Sequence, residues 1–429
     1  MPTLARALAL DVLLRLERPG GTLADALAAP AIEALEPRDR ALLHELVFGT
    51  LRRRGWLDHV LSGLVDDRRR TPSPTVQNAL RLGAYQLLYL RVAEHAAVSE
   101  SVELVRDRTP RATGLVNAVL RRLQREGPPE EPDPAREPLA WLSTAGSLPP
   151  WLAERWLARL GAVPAIERAR VLLEPPPVHF RFHPRRPEAP ARLAADGIEA
   201  SPVLVPGAWR VERGGPLGPE TASGLVYVQD QGSQLIAHLA AGDGLVLDAC
   251  AAPGGKSLLL ADLGGPRVRV IATEASRRRL RTLAALTVRW EARNVFPMAA
   301  DAMHPPFRAR FDAVLLDAPC SGLGTLARHP DIRWRLLSPD VLRHAARQRA
   351  LLEALAPLVR AGGRLVYATC SIEDEETVAV VRPFLQAHPE FTPDELPPWS
   401  DPFREGAFVR MDTVRDRGDA FFAARLRRR

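Results

Sequence analysis

The first 125 residues carry apolar side chains at helical spacing. Two such stripes are formed by Ala5, Leu8, Ala9, Val12, Leu13 and Leu16, and by Val76, Ala79, Leu80, Gly83 and Leu87. Residues three or four positions apart share one face of an α-helix, so each stripe would pack against a core. Because the alternation typical of strands does not occur here, we predict that residues 1–125 form an all-α domain.

The following stretch changes first in composition and then in pattern. Residues 126–138 are rich in proline and acidic side chains and are predicted to be a linker. Residues 139–218 mix helical and strand periodicity and are predicted to form a small α+β domain. Its helices are expected at 151–160 and 190–196, and its strands at 178–182, 201–205 and 209–212.

From residue 219 onwards, short apolar runs alternate with helical segments. Strands are predicted at 245–250, 268–273, 296–300, 311–316 and 364–368, with a helix at 256–263 directly after the first strand. This alternation is typical of a parallel sheet covered by helices on both faces. We therefore predict a multidomain protein in which residues 219–429 form a doubly wound, Rossmann-like α/β domain.

Composition adds limits to this picture. Hydrophobic residues make up 46% of the 429 residues, which is enough for packed cores, and only three cysteines occur. No apolar run is long enough to cross a membrane, and the N-terminal segment lacks the apolar core of a signal peptide. We expect a monomeric cytoplasmic protein with reduced thiols, no bound metal and no membrane partner.

The charge balance favours a polyanionic partner. The net charge is +7 and the pI is about 10.0, and neutralising phosphates supplies affinity for nucleic acid without sequence recognition. A GC-rich genome would also explain the excess of alanine, arginine and proline. Runs such as 52–54, 68–70, 277–279 and 427–429 are, one by one, more typical of solvated surfaces than of binding sites.

Polar residues follow the predicted parallel strands where each strand ends. A glycine turn within Cys250-Ala251-Ala252-Pro253-Gly254-Gly255-Lys256 follows the first strand, and Glu274, Asp301 and Asp317 follow later ones. Open α/β sheets bind ligands at this edge, and an acidic residue after the second strand can accept the hydroxyls of a ribose. The glycine spacing matches neither the dinucleotide fingerprint nor the P-loop. An adenosine without pyrophosphate fits best, and the predicted cofactor is S-adenosylmethionine.

Two cysteines follow neighbouring strands of that predicted sheet. Cys320 lies in Asp317-Ala-Pro-Cys320 and Cys370 in Thr369-Cys370-Ser371. Carbon 5 of cytosine attacks a sulfonium methyl only after a thiolate has added to carbon 6. The reaction also needs an acid at ring nitrogen 3 and a base for the carbon 5 proton. Cys370, Asp317 and Cys320 could supply these three groups, although spacing alone leaves open which thiol attacks.

Lys256 is the only lysine in a chain with 58 lysine and arginine residues. Every other lysine position has been filled by arginine, so an ammonium retained in the glycine turn indicates a function there. We predict that Lys256 lies close to the cofactor and to a base flipped out of the RNA, and that it is catalytic.

The chain resembles the NusB-domain branch of the Sun (Fmu) family of RNA cytosine-5 methyltransferases. The most specific matching phrases are 248–256, Asp317-Ala-Pro-Cys-Ser-Gly322, Arg328-His-Pro-Asp-Ile-Arg-Trp334 and Tyr367-Ala-Thr-Cys-Ser371. The resemblance implies a NusB-like, RNA-binding N-terminal domain and 16S ribosomal RNA as substrate, with cytosine 967 as the target. It also implies that Cys370 is the nucleophile, that Cys320 assists its release, and that residues 250–256, Glu274, Asp301 and Asp317 bind the cofactor.

Two functions of other classes are alternatives to this one. A non-catalytic RNA chaperone on a dead methyltransferase fold would be favoured by loss of Cys370 or Asp317, and both are present. An exocyclic-amine methyltransferase would carry Asn/Asp-Pro-Pro-Tyr after the fourth strand, where this chain has Asp317-Ala-Pro-Cys320. The sequence leaves open whether naked RNA or an assembling particle is the substrate.

Overall fold

The computed structural model describes residues 3–65 and 72–429. The chain divides into two compact units. Residues 1–175 together with 326–335 form the first, which we call the helical unit. Residues 176–325 together with 336–429 form the second, which we call the sheet unit. The arginine run predicted at 68–70 lies outside the described residues.

The helical unit is built from amphipathic helices, as the apolar stripes predict. Its α-helices are Leu4–Leu16, Leu23–Leu27, Pro30–Glu33, Pro37–Arg52, Arg54–Ser62, Pro74–Tyr89, Glu94–Arg106, Thr113–Glu126, Pro138–Ser143, Pro150–Leu160 and Ala162–Leu172. The predicted stripe residues Ala5, Ala9 and Leu13 are buried. The all-α N-terminal part is therefore confirmed, whereas the domain boundaries drawn from the sequence pattern stay predictions.

A segment from the later part of the chain completes the helical unit. Residues 326–335 include the short helix Ile332–Arg335. Arg333 is fully buried and donates hydrogen bonds to the carbonyl oxygens of Ser147 (3.1 Å) and Leu172 (3.3 Å). Trp334 donates its indole N–H to the carbonyl of Leu51 at 2.7 Å. These hydrogen bonds give backbone carbonyls of the helical unit donors from a distant part of the sequence, and the apolar pattern did not predict them.

The sheet unit begins with a small antiparallel sheet of order β2-β3-β1-β4. Its strands are β1 (His179–Phe182), β2 (Glu199–Pro202), β3 (Trp209–Arg213) and β4 (Val226–Val228), and its helices are Ala189–Ala195 and Gly218–Ala222. The strand predicted at 201–205 was placed too late, because the chain turns back after residue 202 with a hydrogen bond from Val203 N–H to the Ala208 carbonyl. Strand β4 was not predicted, because three residues are too few to show the alternation of apolar and polar side chains that is typical of a strand.

A nine-stranded mixed sheet forms the rest of the unit. Its strands are β5 (Gly244–Asp248), β6 (Val268–Glu274), β7 (Val295–Ala299), β8 (Phe311–Asp317), β9 (Val359–Thr369), β10 (Phe391–Pro393), β11 (Arg404–Glu405), β12 (Phe408–Met411) and β13 (Phe421–Arg428). Strands β9-β8-β5-β6-β7 are parallel neighbours. Strand β13 adds to β9 in antiparallel orientation, and β10 and β12 pair with β13.

Helices cover both faces of this sheet. They are Gln231–Ala240, Gly255–Gly264, Arg277–Arg289, Ser338–Leu355 and Val378–Ala387, with a short helix at Thr413–Asp416. Successive residues of one strand enter different cores, since Val246 packs in one cluster and Leu247 in the other. The predicted Rossmann-like fold is confirmed, with an antiparallel extension that was not predicted. Among the described helices, none combines the length and apolarity required to span a membrane.

Candidate functional site

The carboxyl ends of β5, β6, β8 and β9 bring the predicted site residues to one edge of the sheet. In the strand register, Asp248 pairs with Leu315 of β8, and Asp317 pairs with Ala368 of β9. The chain then leaves β8 towards Cys320 and β9 towards Cys370. Because the parallel strands end together, residues far apart in sequence face one space.

The glycine turn after β5 has the backbone shape expected of a ligand-binding turn. Gly254 has φ of +119°, a left-handed conformation that favours glycine, and the helix Gly255–Gly264 begins at the next residue. A Cβ added at Gly255 would lie 2.6 Å from the Tyr227 ring. The turn therefore requires both glycines, and it presents a helix N-terminus at the sheet edge.

Two buried carboxylates flank this turn. Asp248 ends β5 and accepts a hydrogen bond from the Ser257 hydroxyl at 2.6 Å through one oxygen, while its Oδ1 is buried without a hydrogen-bond partner. Burial raises the pKa of Asp248 to about 6, against the lowering effects of Ser257 and Lys256. Glu274 ends β6, is buried, and accepts a hydrogen bond from the Ser276 N–H at 2.8 Å.

The sequence did not single out Asp248 as a site residue. Its position at the end of β5, the same position that Glu274 has in β6, was the signal available. Asp301 follows β7 and is more than half exposed, with its Oδ1 accepting the Met303 N–H at 2.9 Å. Its neighbour Ala300 donates to the Glu274 carbonyl at 3.3 Å, so Asp301 stands at the rim of the site.

The third cysteine, Cys250, lies in the turn and packs against one of the two cores. Burial, together with the carboxylates of Asp248, Asp317 and Glu274, raises its pKa to about 12. A thiol with such a pKa holds its proton at neutral pH and is a poor nucleophile. Cys250 therefore lies in the wall of the site as a protonated thiol.

Lys256 and Asp317 form an ion pair, with 2.7 Å between Nζ and Oδ2. Burial lowers the pKa of Lys256, but the charges of Asp317, Asp248 and Cys370 outweigh this effect, and the net shift is upward. The ammonium also lies over the ring of Phe421, 5.8 Å from its centroid. Lys256 is therefore an ammonium paired with Asp317 at this edge of the sheet.

The two remaining thiols are in direct contact. Cys320 Sγ and Cys370 Sγ are 3.1 Å apart, although the residues are 50 positions apart in sequence. The hydrogen bond with Cys370 and burial raise the pKa of Cys320 well above its ordinary value, with smaller contributions from the charges of Glu376 and Asp317. Cys320 therefore holds its proton at neutral pH.

No group of three or more histidine, cysteine, aspartate or glutamate side chains suited to a metal ion occurs in residues 3–65 and 72–429. The donors gathered at the sheet edge are instead carboxylates, backbone N–H groups, one ammonium and two thiols. Such a set can bind a nucleoside, stabilise a positive charge and carry out addition and elimination by sulfur.

Comparisons with known proteins match both units. Residues 237–427 match the family model described as 16S rRNA methyltransferase RsmB/F, and residues 3–125 match the NusB family. The probable ribosomal RNA small subunit methyltransferase B of Bacillus subtilis is 33% identical and covers 100% of this chain and 99% of its own length.

The match extends to a second relative and to a solved structure. Ribosomal RNA small subunit methyltransferase B of Thermus thermophilus is 38% identical over 99% of this chain and 97% of its own. The crystal structure of PH0851 aligns over 98% of both chains with a TM-score of 0.81 and 26% identity. The resemblance drawn from the sequence motifs is confirmed.

Proposed function

We propose that this chain, which belongs to the RsmB/F family of 16S rRNA methyltransferases, methylates carbon 5 of a cytosine in 16S ribosomal RNA. The methyl donor in this proposal is S-adenosylmethionine, and the target is cytosine 967. The observation that carries the cytosine chemistry is the contact between two thiols, 3.1 Å apart, beyond neighbouring strands. Methylation of an exocyclic amine needs no such pair.

The residues of the sheet edge fit the proposed cofactor. Residues 250–256, Glu274, Asp301 and Asp317 would hold it, and the unpaired Oδ1 of Asp248 offers a further buried acceptor. The left-handed Gly254 allows a ligand to approach the backbone. When bound, S-adenosylmethionine supplies an electrophilic methyl group.

In the proposed mechanism the Cys370 sulfur forms a bond to carbon 6 of the cytosine. Asp317 takes a proton from the Lys256 ammonium, 2.7 Å away, and donates it at ring nitrogen 3, so that negative charge does not build up on the ring. Carbon 5 then becomes the nucleophile of an enamine and accepts the methyl group.

Elimination restores the aromatic ring. The carbon 5 proton leaves to a base, the bond between carbon 6 and the Cys370 sulfur breaks, and that sulfur takes the proton of the Cys320 thiol, 3.1 Å away. Because the pKa of Cys320 is raised, the Cys320 thiolate left behind is a strong base for the carbon 5 proton. These properties support Cys320 as the group that removes the proton.

The experiment combines bisulfite sequencing of 16S rRNA with cysteine variants. With S-adenosylmethionine and the wild-type protein, one cytosine should become resistant to conversion, either in naked rRNA or in assembling particles. Cys370→Ala should abolish methylation and give no RNA adduct, because no thiolate adds to carbon 6. Cys320→Ser should allow attack and methyl transfer but stall elimination, and RNA should remain bound to the protein on a denaturing gel.

The two variants distinguish the roles of the sulfurs. An adduct in Cys370→Ala with none in Cys320→Ser would reverse the assignment. Methylation of an exocyclic amine in place of carbon 5, identified by nucleoside mass spectrometry, would refute the proposed chemistry altogether.

A further inference from the structure

We infer that the buried carboxylate of Glu376 is a positioning residue that holds the Cys320 and Cys370 loops against each other. Glu376 lies in the 3-10 turn Asp374–Glu376 that follows β9, and it is fully buried. The role of Glu376 in methyl transfer rests on the proposed function. Its role in fixing the distance between the two sulfurs is independent of that function.

One side of the carboxylate binds the loop that carries Cys320. The backbone N–H of Ser321 donates to Oε1 at 2.8 Å, and the Ser321 hydroxyl donates to Oε2 at 2.5 Å. Ser321 directly follows Cys320 in the chain, so these two bonds fix the backbone next to the thiol. Hydrogen bonds to an ionised acceptor are shorter and stronger than those between neutral groups.

The same carboxylate binds the loop that carries Cys370. The Ser371 hydroxyl donates to Oε2 at 2.5 Å, and Ser371 directly follows Cys370. The backbone carbonyl of Glu376 also accepts the Tyr367 hydroxyl at 2.7 Å, which ties the turn to β9. One side chain thus joins the residues after both thiols, 50 positions apart in sequence.

Gln348 extends this network from the helix Ser338–Leu355. Its side-chain N–H₂ donates to Glu376 Oε1 and to the Pro319 carbonyl, both at 3.0 Å, and Pro319 directly precedes Cys320. Its carbonyl oxygen also lies 3.0 Å from the Tyr367 hydroxyl, whose one proton makes the shorter bond to the Glu376 carbonyl. The Cys320 loop is therefore anchored on both sides of the thiol.

The choice of a carboxylate has a physical reason. Ser321 and Gln348 each contribute N–H donors, and both serine hydroxyls also donate, so the centre of the network must be an acceptor with several lone pairs. A buried polar network is stable only when each member is satisfied. Replacing Glu376 by an apolar residue would leave these donors unpaired and would free the two loops to separate.

The test uses the two thiols themselves as a distance probe. The azo compound diamide accepts two electrons and two protons from a pair of thiols, which become a disulfide while diamide is reduced to its hydrazine. In the full-length wild-type protein, without RNA or cofactor, diamide should form a Cys320–Cys370 disulfide. Its rate is measured by quenching with an alkylating agent and mapping the peptides by mass spectrometry.

Glu376→Ala should lower the rate of this disulfide at least about tenfold, because small displacements of reacting groups reduce intramolecular rates steeply. Glu376→Gln should stay within about threefold of wild type, since the amide has the same shape and the serine hydroxyls can reverse their bonds. Asp374→Ala is the matched control, because this carboxylate lies in the same turn but is more than half exposed. The control should oxidise at the wild-type rate.

Thermal unfolding of each variant shows whether it is folded at the assay temperature. If Glu376→Ala does not fold, Ser321→Ala and Ser371→Ala each remove one donor and should each slow the disulfide by a smaller factor. A wild-type oxidation rate in folded Glu376→Ala, or in both serine variants, would overturn the inference. Equal loss in the alanine and glutamine variants would also overturn it, because the isosteric side chain would then fail to rescue.

Methylation gives a second readout. A positioning role predicts that kcat falls in Glu376→Ala while KM for 16S rRNA stays unchanged, with recovery in Glu376→Gln. A fall in the oxidation rate without methylation by the wild-type protein would refute the proposed function and leave the positioning role intact.

Discussion

Lys256 and Asp317 form an ion pair in the site, with 2.7 Å between Nζ and Oδ2. The sequence predicted that both residues are catalytic and bind the cofactor, with Asp317 as the acid at ring nitrogen 3. In the proposed mechanism, their pairing gives them a joint task. An ammonium next to the carboxylate can supply the proton that Asp317 passes on, and it stabilises the electron density that moves through the ring during addition.

Removal of this ammonium should therefore slow the reaction. We expect Lys256→Ala to lower turnover at least about tenfold, on the order of 1.4 kcal/mol of transition-state stabilisation. Lys256→Arg keeps the charge and should lose less. Single-turnover methylation of 16S rRNA measures the step, and unchanged kinetics in the alanine variant would show that the lysine is not catalytic.

Some site residues could be predicted from the sequence and others could not. Cys320, Cys370 and Glu274 lie at or just after the ends of predicted strands, so their position suggested a role in the site. Glu376 is one of four consecutive acids at 373–376, and nothing in that run shows that Glu373 and Glu376 are the buried ones. Its role arises from contacts with Ser321, 55 positions earlier, which only the fold provides.

At the scale of elements, the parallel strands of the nine-stranded sheet were predictable and its antiparallel strands were not. Strands β5 and β8 are buried on both faces and show as continuous apolar runs. Strand β13 contains the arginines Arg425 and Arg427, which a sequence pattern assigns to solvent. In the fold both arginines form ion pairs with the largely buried Asp394. Asp394 also pairs with Arg364 of β9, so one carboxylate compensates arginines of two neighbouring strands.

Residues 328–334 were recognised only as a matching phrase, without a structural role. In the fold, residues 326–335 belong to the helical unit. The buried guanidinium of Arg333 donates hydrogen bonds there to three carbonyls, those of Ser147, Leu172 and Leu326. Burial and the neighbouring Arg52 lower the pKa of Arg333 to about 9. A buried cation is tolerated here because fixed carbonyl dipoles replace its water.

Loss of this anchor should destabilise the protein. We expect Arg333→Ala to lower the free energy of unfolding by about 2–4 kcal/mol, because it leaves buried carbonyls unpaired and opens a cavity. Arg343→Ala is the matched control, since that arginine is 71% exposed and should cost less than about 1 kcal/mol. Denaturant titration measures both, and equal stability of the two variants would contradict the anchoring role.

At the scale of the whole molecule, the two compact units and the net charge of +7 bear on how RNA is bound. Deleting the N-terminal helices would be an ambiguous test of RNA binding. Residues 326–335 hydrogen-bond to Leu51 and are bonded by Arg52, so a chain without those helices would lose structural partners together with any RNA contact. Surface charge substitutions in the full-length chain separate the two effects.

We expect Arg121→Glu to weaken binding of 16S rRNA and to reduce its dependence on salt. Arg121 is exposed on the helix Thr113–Glu126, within the region that matches the NusB family. If its guanidinium contacts a phosphate, the slope of log K against log salt should fall by about 0.7–0.9. Arg382→Glu makes the same charge change at an exposed position of the sheet unit, on the helix Val378–Ala387. RNA-binding titrations at several salt concentrations compare the two variants with wild type. Equal losses of affinity in both variants would mean that overall charge, rather than the helical unit, determines the affinity for RNA.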